Sequence, residues 1–207
     1  MNVLITAGPT HEPIDPVRFI GNRSSGQMGA ALAEAALTAG HRVTLILGPV
    51  TAKMPEHVRR IDIETSRQLY DAVLSAFPAH DLLIMAAAVA DFSVANPSAE
   101  KVNRSKKLTI ELEPTEDILA AAGAIKRADQ RTIGFSLVEA KDLDRSRAKL
   151  KQKNVDLLVH NPTETMGSAT IDATLLYPDG HVEHLPSRRK REFADILITR
   201  AIDLFAR

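Results

Sequence analysis

Residues 1–29, MNVLITAGPTHEPIDPVRFIGNRSSGQMG, begin with an apolar run at 2–7 that enters a loop crowded with Gly8, Pro9, Pro13 and Pro16. Through Asn22-Arg23-Ser24-Ser25-Gly26 the loop opens into an alanine-rich segment at 27–40 with the composition of a helix. Strand, long polar loop and helix are the opening of a nucleotide-binding α/β fold. The first backbone N–H groups of such a helix lack partners and, with the positive end of the helix dipole, suit an anion. Ser24, Ser25 and Gly26 have small side chains that let a phosphate come close, so a phosphate site is expected here. Two familiar glycine loops are excluded: there is no G-x-x-x-x-G-K-[ST], and Gly21, Gly26 and Gly29 do not make G-x-G-x-x-G. The second strand, at 43–47, ends in Gly48-Pro49, without the acid that would hold a dinucleotide ribose. The plain alternative is a solvated loop with a capped helix, although loops this long in compact domains are usually functional.

Outward from this opening, residues 58–63 alternate imperfectly, as a weaker strand near a sheet edge would. Thr65 or Ser66 caps a helix carrying Leu69, Val73, Leu74 and Phe77. Residues 81–86 form a continuous apolar strand of the kind found in a parallel sheet covered on both faces. It ends in Ala86, Ala87 and Ala88, whose small side chains would let a ligand approach the backbone. Residues 93–107 are polar, basic and aperiodic, and read as a loop. Residues 108–112 alternate like a half-buried strand, and Pro114-Thr115-Glu116-Asp117 starts a helix over 118–126. Strands follow at 132–136 and 155–160, separated by a basic helix that runs to about Lys153. Residues 170–177 and 181–185, joined by Pro178-Asp179-Gly180, read as a hairpin. In the last helix Phe193, Ile196, Leu197, Ala201, Ile202 and Leu204 are expected to face inward. Together these predict one Rossmann-like α/β domain over 1–207, a mostly parallel sheet flanked by helices with a late antiparallel hairpin.

Composition narrows the function. Lys+Arg 26 against Asp+Glu 26 leaves no net charge, which argues against a nucleic-acid binder or a membrane-surface protein. There are no cysteines, so disulfides, thiolate metal sites and a cysteine nucleophile are excluded. No apolar run approaches the roughly 20 residues of a membrane span, and no basic segment precedes the first strand. A cytoplasmic protein is expected.

The pattern I-T-A-G-P-T-x-E-P-x-D-P-V-R-x-I-x-N-x-S-S-G-x-M-G resembles the signature of phosphopantothenoylcysteine synthetase, the ligase of coenzyme A biosynthesis. The stretch from Ala86 to Phe92, Glu100-Lys101 and Gly134-Phe135 match further, so the resemblance spans nearly the whole chain. It implies a ligase that joins 4′-phosphopantothenate to cysteine through an acyl-nucleotide, with CTP as co-substrate, Mg²⁺ held mainly by the nucleotide phosphates, and no protein nucleophile. It further implies a homodimer, for which the late hairpin is an available surface, and association or fusion with a flavin-dependent phosphopantothenoylcysteine decarboxylase. By the same resemblance Asn22 holds the acyl-nucleotide, Arg18 clamps phosphate or carboxylate, and Lys101 lies on a flap that closes over the triphosphate. Gly8, Ser24, Ser25, Gly26, Ala87 and Ala88 would bind substrate or nucleotide. Asp91 would face the metal or ribose, Phe135 would flank the base, and Lys153 would reach phosphates. From spacing alone each keeps a plainer reading: a helix cap for Asn22, a surface ion pair for Arg18, a capping residue for Asp91, core for Phe135, and a solvated helix end for Lys153.

Three places depart from the family pattern. Ser136-Leu137-Val138-Glu139 stands where Ala-x-Glu-Thr is common, His160-Asn161-Pro162 where Asn-Asp is common, and residues 166–170 lack the usual Phe and Asp-x-Asn. Two other functions are less consistent with the sequence. A flavin- or nicotinamide-linked reductase is disfavoured by Gly48-Pro49, and a non-catalytic partner subunit by the presence of Asn22, Arg18 and Lys101.

Overall fold

The structure is a computed structural model that describes residues 1–104, 107–138, 143–163 and 168–206. Six parallel strands form its centre: β1 (Asn2–Ala7), β4 (Arg42–Leu47), β5 (Arg59–Asp62), β6 (Leu82–Met85), β9 (Arg131–Val138) and β10 (Leu157–Pro162). Two antiparallel strands, β11 (Thr170–Leu176) and β12 (Val182–Arg189), extend the sheet, giving the order β12-β11-β10-β9-β6-β1-β4-β5. The expected late hairpin is therefore the continuation of the sheet. Two short pairs stand apart from it: β2 (His11–Pro13) with β3 (Phe19–Gly21), and β7 (Phe92–Val94) with β8 (Leu112–Pro114).

Period-two alternation assigns the two faces of the sheet. On one side Val3, Ile5, Leu45, Ile84 and Val159 pack under α1 (Gln27–Thr38) and α5 (Lys190–Asp203), represented by Leu32, Ala36, Phe193 and Leu197. On the other side Leu4, Ile46, Leu83 and Leu158 pack under α2 (Ser66–Ala76), α3 (Ile118–Ile125) and α4 (Leu143–Gln152). Each fully buried aliphatic or aromatic side chain in these layers stabilises the fold by about 1.5–3 kcal/mol. Gly29 lets α1 lie directly on β1, since a Cβ there would come within 2.2 Å of the Ala7 Cβ.

Several local expectations are corrected. The loop at 8–26 contains the β2–β3 hairpin, turned by Asp15, whose Oδ1 accepts from the N–H groups of Val17 and Arg18 at 2.9 and 2.8 Å. Residues 108–112 are not a half-buried strand. Leu108 and Leu112 are exposed, and the strand that forms is the shorter Leu112–Pro114, paired with β7. In α5 the buried face is Phe193, Ala194, Leu197, Ile198 and Ala201, while Ile202 is exposed, a rotation of the inward stripe by part of a turn. Thr65 caps α2 as read, in a capping box completed by Gln68. Among the described residues no helix is long and apolar enough to cross a membrane.

Candidate active site

The strand order reverses between β1 and β6, and in such sheets the ligand crevice lies beyond the carboxyl ends of the strands at that point. Here the segments that follow β1 and β6 stay paired beyond the strands. Ala88 N–H donates to the Gly8 carbonyl at 2.8 Å, and Thr10 N–H to the Ala88 carbonyl at 3.2 Å. The hydroxyls of Thr6 and Thr10 accept from Ala87 and Ala90 N–H at 3.1 and 3.0 Å. This closes the β1/β6 gap and leaves the open crevice over β6 and β9.

That crevice has two lobes. The larger, about 460 Å³, is walled by Asn22, Asp91, residues 115–119 at the start of α3, Ser136 on β9, Lys149 on α4 and Lys153 just after α4. The smaller, about 180 Å³, holds Arg23, Ser24, Ser25, Gly26 and the first turn of α1, together with Lys190 at the start of α5. Ala87, Ala88, Phe135 and Leu137 line both. A larger hollow of about 800 Å³ runs beside α1 near Glu34, Met54 and Arg191, but it shares no lining residue with the strand ends. Chemistry rather than size selects the two-lobed crevice.

Asn22 stands in the wall of the larger lobe, its Nδ2 donating to the Val89 carbonyl at 2.8 Å. It is not a helix cap: that position belongs to Gly26, in the left-handed region at φ 77° and with no side-chain cap. A Gly26 side chain would be strained there and would meet Val50 Cγ1 at 2.7 Å. Phe135 packs edge-on against Phe193 at 6.5 Å between centroids and presents its remaining surface to both lobes. Asp91 is exposed on the wall of the larger lobe, and its backbone carbonyl accepts from Thr115 N–H at 3.0 Å. Lys153 Nζ lies 2.9 Å from Asp117 Oδ2, while Asp117 Oδ1 caps α3 through Ala120 N–H at 3.0 Å.

The remaining three positions lie off the lining. Gly8 shapes the backbone at φ 82° and lends its carbonyl to Ala88. The Arg18 guanidinium pairs with the buried Asp15 carboxylate and donates to the Val102 carbonyl at 2.7 Å. Asp15 Oδ2 accepts from Val102 N–H at 3.1 Å, and Ser98 N–H donates to the Ile14 carbonyl at 2.9 Å. The segment bearing Lys101, read from the sequence as an aperiodic loop, is thus tied to the β2–β3 hairpin at 98 and 102. Lys101 itself is exposed, and Lys106 lies outside the described residues. The Asp15 carboxyl is held well below the usual carboxylate range, chiefly by the Arg18 guanidinium against the cost of burial, with help from the N–H groups of Val17, Val102 and Arg18.

Sequence reasoning missed four cationic or polar wall residues: Lys149, Lys190, Arg23 and Ser136. Burial, and then the like charges of Lys153 and Arg145, push the Lys149 ammonium down, opposed by Asp91 and Asp117. Burial alone lowers Lys190. For Lys149 a signal was present, because Ser146, Lys149, Leu150 and Lys153 share one face of α4 at spacings of three and four. Glu139, the displaced acid of the β9 motif, lies outside the described residues.

Mg²⁺ typically keeps few protein ligands beside substrate phosphates. Among the described residues no cluster of three or more acids or histidines could hold a metal alone. Of the acids on the crevice wall among the described residues, Glu116 is paired with Arg67 and Asp117 with Lys153, while Asp91 is exposed.

The family described as "DNA/pantothenate metabolism flavoprotein C-terminal domain" matches residues 1–204. The chain belongs to this family. It is 41% identical over 196 residues to the "Coenzyme A biosynthesis bifunctional protein CoaBC" of Bacillus subtilis (strain 168), covering 91% of this chain and 48% of that protein. It is 40% identical over 208 residues to a "Cysteine/Cysteine sulfinic acid decarboxylase" of an unknown prokaryotic organism, covering 98% of this chain and 58% of that one. The crystal structure of the C-terminal domain of a CoaBC protein superposes with a TM-score of 0.83 at 36% identity, covering 97% of this chain and 93% of that one. The chain thus spans about half the length of the curated CoaBC relatives it matches.

Proposed function

We propose that this chain acts in coenzyme A biosynthesis as the ligase that joins 4′-phosphopantothenate to L-cysteine at the expense of CTP. The observation that carries the reading is the two-lobed crevice meeting at Ala87 and Ala88, in a chain resembling the C-terminal half of CoaBC proteins. Such a reaction needs no protein nucleophile, only positioning and charge stabilisation where two substrates meet.

The smaller lobe suits the nucleotide. The unpaired N–H groups of the first turn of α1, with Ser24, Ser25, Gly26, Arg23 and Lys190, face its phosphates, and Phe135 offers a ring face to its base. The larger lobe then takes 4′-phosphopantothenate, its phosphate toward Lys149 and Lys153 and its carboxylate toward Ala87 and Ala88. In the first step a carboxylate oxygen attacks the α-phosphorus and pyrophosphate leaves. In the second the cysteine nitrogen attacks the acyl carbonyl, the acyl C–O bond breaks, CMP departs and the amine proton passes to solvent. Asn22 spends one amide N–H on Val89; the other is free to donate to the acyl carbonyl without repelling the incoming amine. Asp91, on the wall of the larger lobe, would hold Mg²⁺ where the nucleotide phosphates meet that lobe, and the ion would offset their charge. Lys101 lies off the lining, on the segment tied to Asp15 through Val102, and in this reading it would close over the triphosphate, with Arg18 at the root of that segment. The working unit is proposed to be a homodimer, acting with a decarboxylase that consumes the product.

The test is to incubate the purified chain with 4′-phosphopantothenate, cysteine, Mg²⁺ and each nucleoside triphosphate. Pyrophosphate release that requires 4′-phosphopantothenate, with CTP preferred, supports the reading. Failure of every nucleotide sinks it.

A further inference from the structure

Three polar side chains are buried behind the wall of the larger lobe, and the ligase chemistry leaves all three unused. Ser136 on β9 is 2 % exposed, Ser146 on α4 is 0 % and His160 on β10 is 3 %. Ser146 Oγ lies 2.9 Å from His160 Nδ1 and donates to Ser136 Oγ at 3.3 Å. A serine hydroxyl carries one hydrogen. Assigned to Ser136, that hydrogen leaves Ser146 to accept from His160, with the proton on Nδ1 of the imidazole. The Ser136 hydroxyl is then the acceptor of this chain, and its own hydrogen has no acceptor among the described residues. Ser136 is part of the wall of the larger lobe. In that assignment the network runs from His160 through Ser146 to a hydroxyl donor at the crevice.

Burying three polar side chains between two strands and a helix costs free energy that apolar packing would not, unless each is satisfied. Ser146 is satisfied within the network, and the Ser136 hydroxyl is left to donate toward the crevice. We propose that Ser136 is a substrate-positioning residue, oriented by Ser146 and His160, that donates a hydrogen bond to an uncharged oxygen in the middle of the larger-lobe substrate. This rests on the functional reading above, in which the substrate spans from the lysines of α4 to the alanines at the end of β6. Between its phosphate and its carboxylate 4′-phosphopantothenate carries an amide carbonyl and a hydroxyl, both of which accept. Ser146 also lies one turn before Lys149 on α4, so the same contact sets the register of the cationic wall against β9 and β10.

The experiment compares Ser136→Ala, His160→Leu, the double variant and His160→Asn. An asparagine amide can take the place of Nδ1–H and donate to Ser146. The readout is the dissociation constant of 4′-phosphopantothenate by calorimetry, with CTP binding as control. Ser136→Ala and His160→Leu should each weaken binding about threefold to tenfold, the worth of one neutral hydrogen bond. The double variant should be no weaker than the singles, and His160→Asn should recover to within about twofold of wild type, with CTP affinity unchanged throughout. Additive losses, or His160→Asn no better than His160→Leu, overturn the proposal. Where His160→Leu does not fold, Ser146→Ala takes its place in the cycle. A ¹⁵N spectrum of the free protein separates the two readings. Protonation of His160 at Nδ1, lost in Ser146→Ala, supports the network even if 4′-phosphopantothenate fails to bind and the functional reading falls. A tautomer protonated only at Nε2 refutes the network outright.

Discussion

Lys153→Gln separates a structural lysine from one that binds a phosphate. The Lys153–Asp117 pair has side-chain exposures of 22% and 50%, so solvent screens it and its contribution to stability is about 0–1 kcal/mol. In a chain of this size that loss lowers the melting temperature by no more than about 4 °C. If Lys153 also meets the substrate phosphate, the variant loses a charge-assisted hydrogen bond of about 1.5–3 kcal/mol, roughly tenfold to hundredfold in affinity. It also leaves the Asp117 carboxylate facing the phosphate. Asp117→Asn makes the opposite change: an asparagine still caps α3 through Ala120, while Lys153 is released to the ligand. Affinity for 4′-phosphopantothenate should therefore fall in Lys153→Gln and hold or rise in Asp117→Asn. The assay is calorimetry with 4′-phosphopantothenate and with pantothenate, which lacks the phosphate. The Lys153→Gln defect should vanish for pantothenate. Equal losses in the two variants, or an equal defect with pantothenate, would show that Lys153 serves only to anchor α4 to α3.

Asn22→Ala removes one exposed hydrogen bond to Val89 and should leave the melting temperature nearly unchanged, while turnover falls on the order of a hundredfold; wild-type turnover would remove Asn22 from the chemistry. Lys101→Gln should slow acyl-nucleotide formation more than attack of cysteine on a chemically prepared acyl-nucleotide, and an equal fall in both half-reactions would count against a flap. Sedimentation at micromolar concentration should show a homodimer, the commonest symmetric assembly, and a monomer alone would defeat that expectation.

The central sheet was legible because burial on both faces writes itself as continuous apolar runs: Leu82 to Met85 are all buried, as are Leu157 to His160. The first motif located the start of α1 and the loop carrying Asn22 for the same local reason, a glycine and serines at a helix entrance. What escaped depended on distant partners. The β2–β3 hairpin has strands of three residues, too short for a periodic signal, and its turn is made by one side chain, Asp15, folding back on its own backbone. Glu12, in the same motif, gave no sign that its carboxylate would cap α2 through Ser66 N–H at 2.8 Å, 54 residues along the chain. Ser136, Ser146 and His160 read as unrelated polar residues until β9, α4 and β10 bring them together. Arg18 is the sharpest case, because an arginine suited to a phosphate is here engaged by Asp15 and Val102.

The fate of CTP tests the ligase assignment most directly. With purified chain, 4′-phosphopantothenate and Mg²⁺, pyrophosphate should form from CTP before any cysteine is added, and CMP should follow once it is. CTP should outpace ATP at subsaturating concentrations, because a site that pairs with a pyrimidine edge leaves groups unpaired beside a purine. Comparable rates with ATP would contradict the nucleotide assignment, and no pyrophosphate from any nucleotide would contradict the ligase itself.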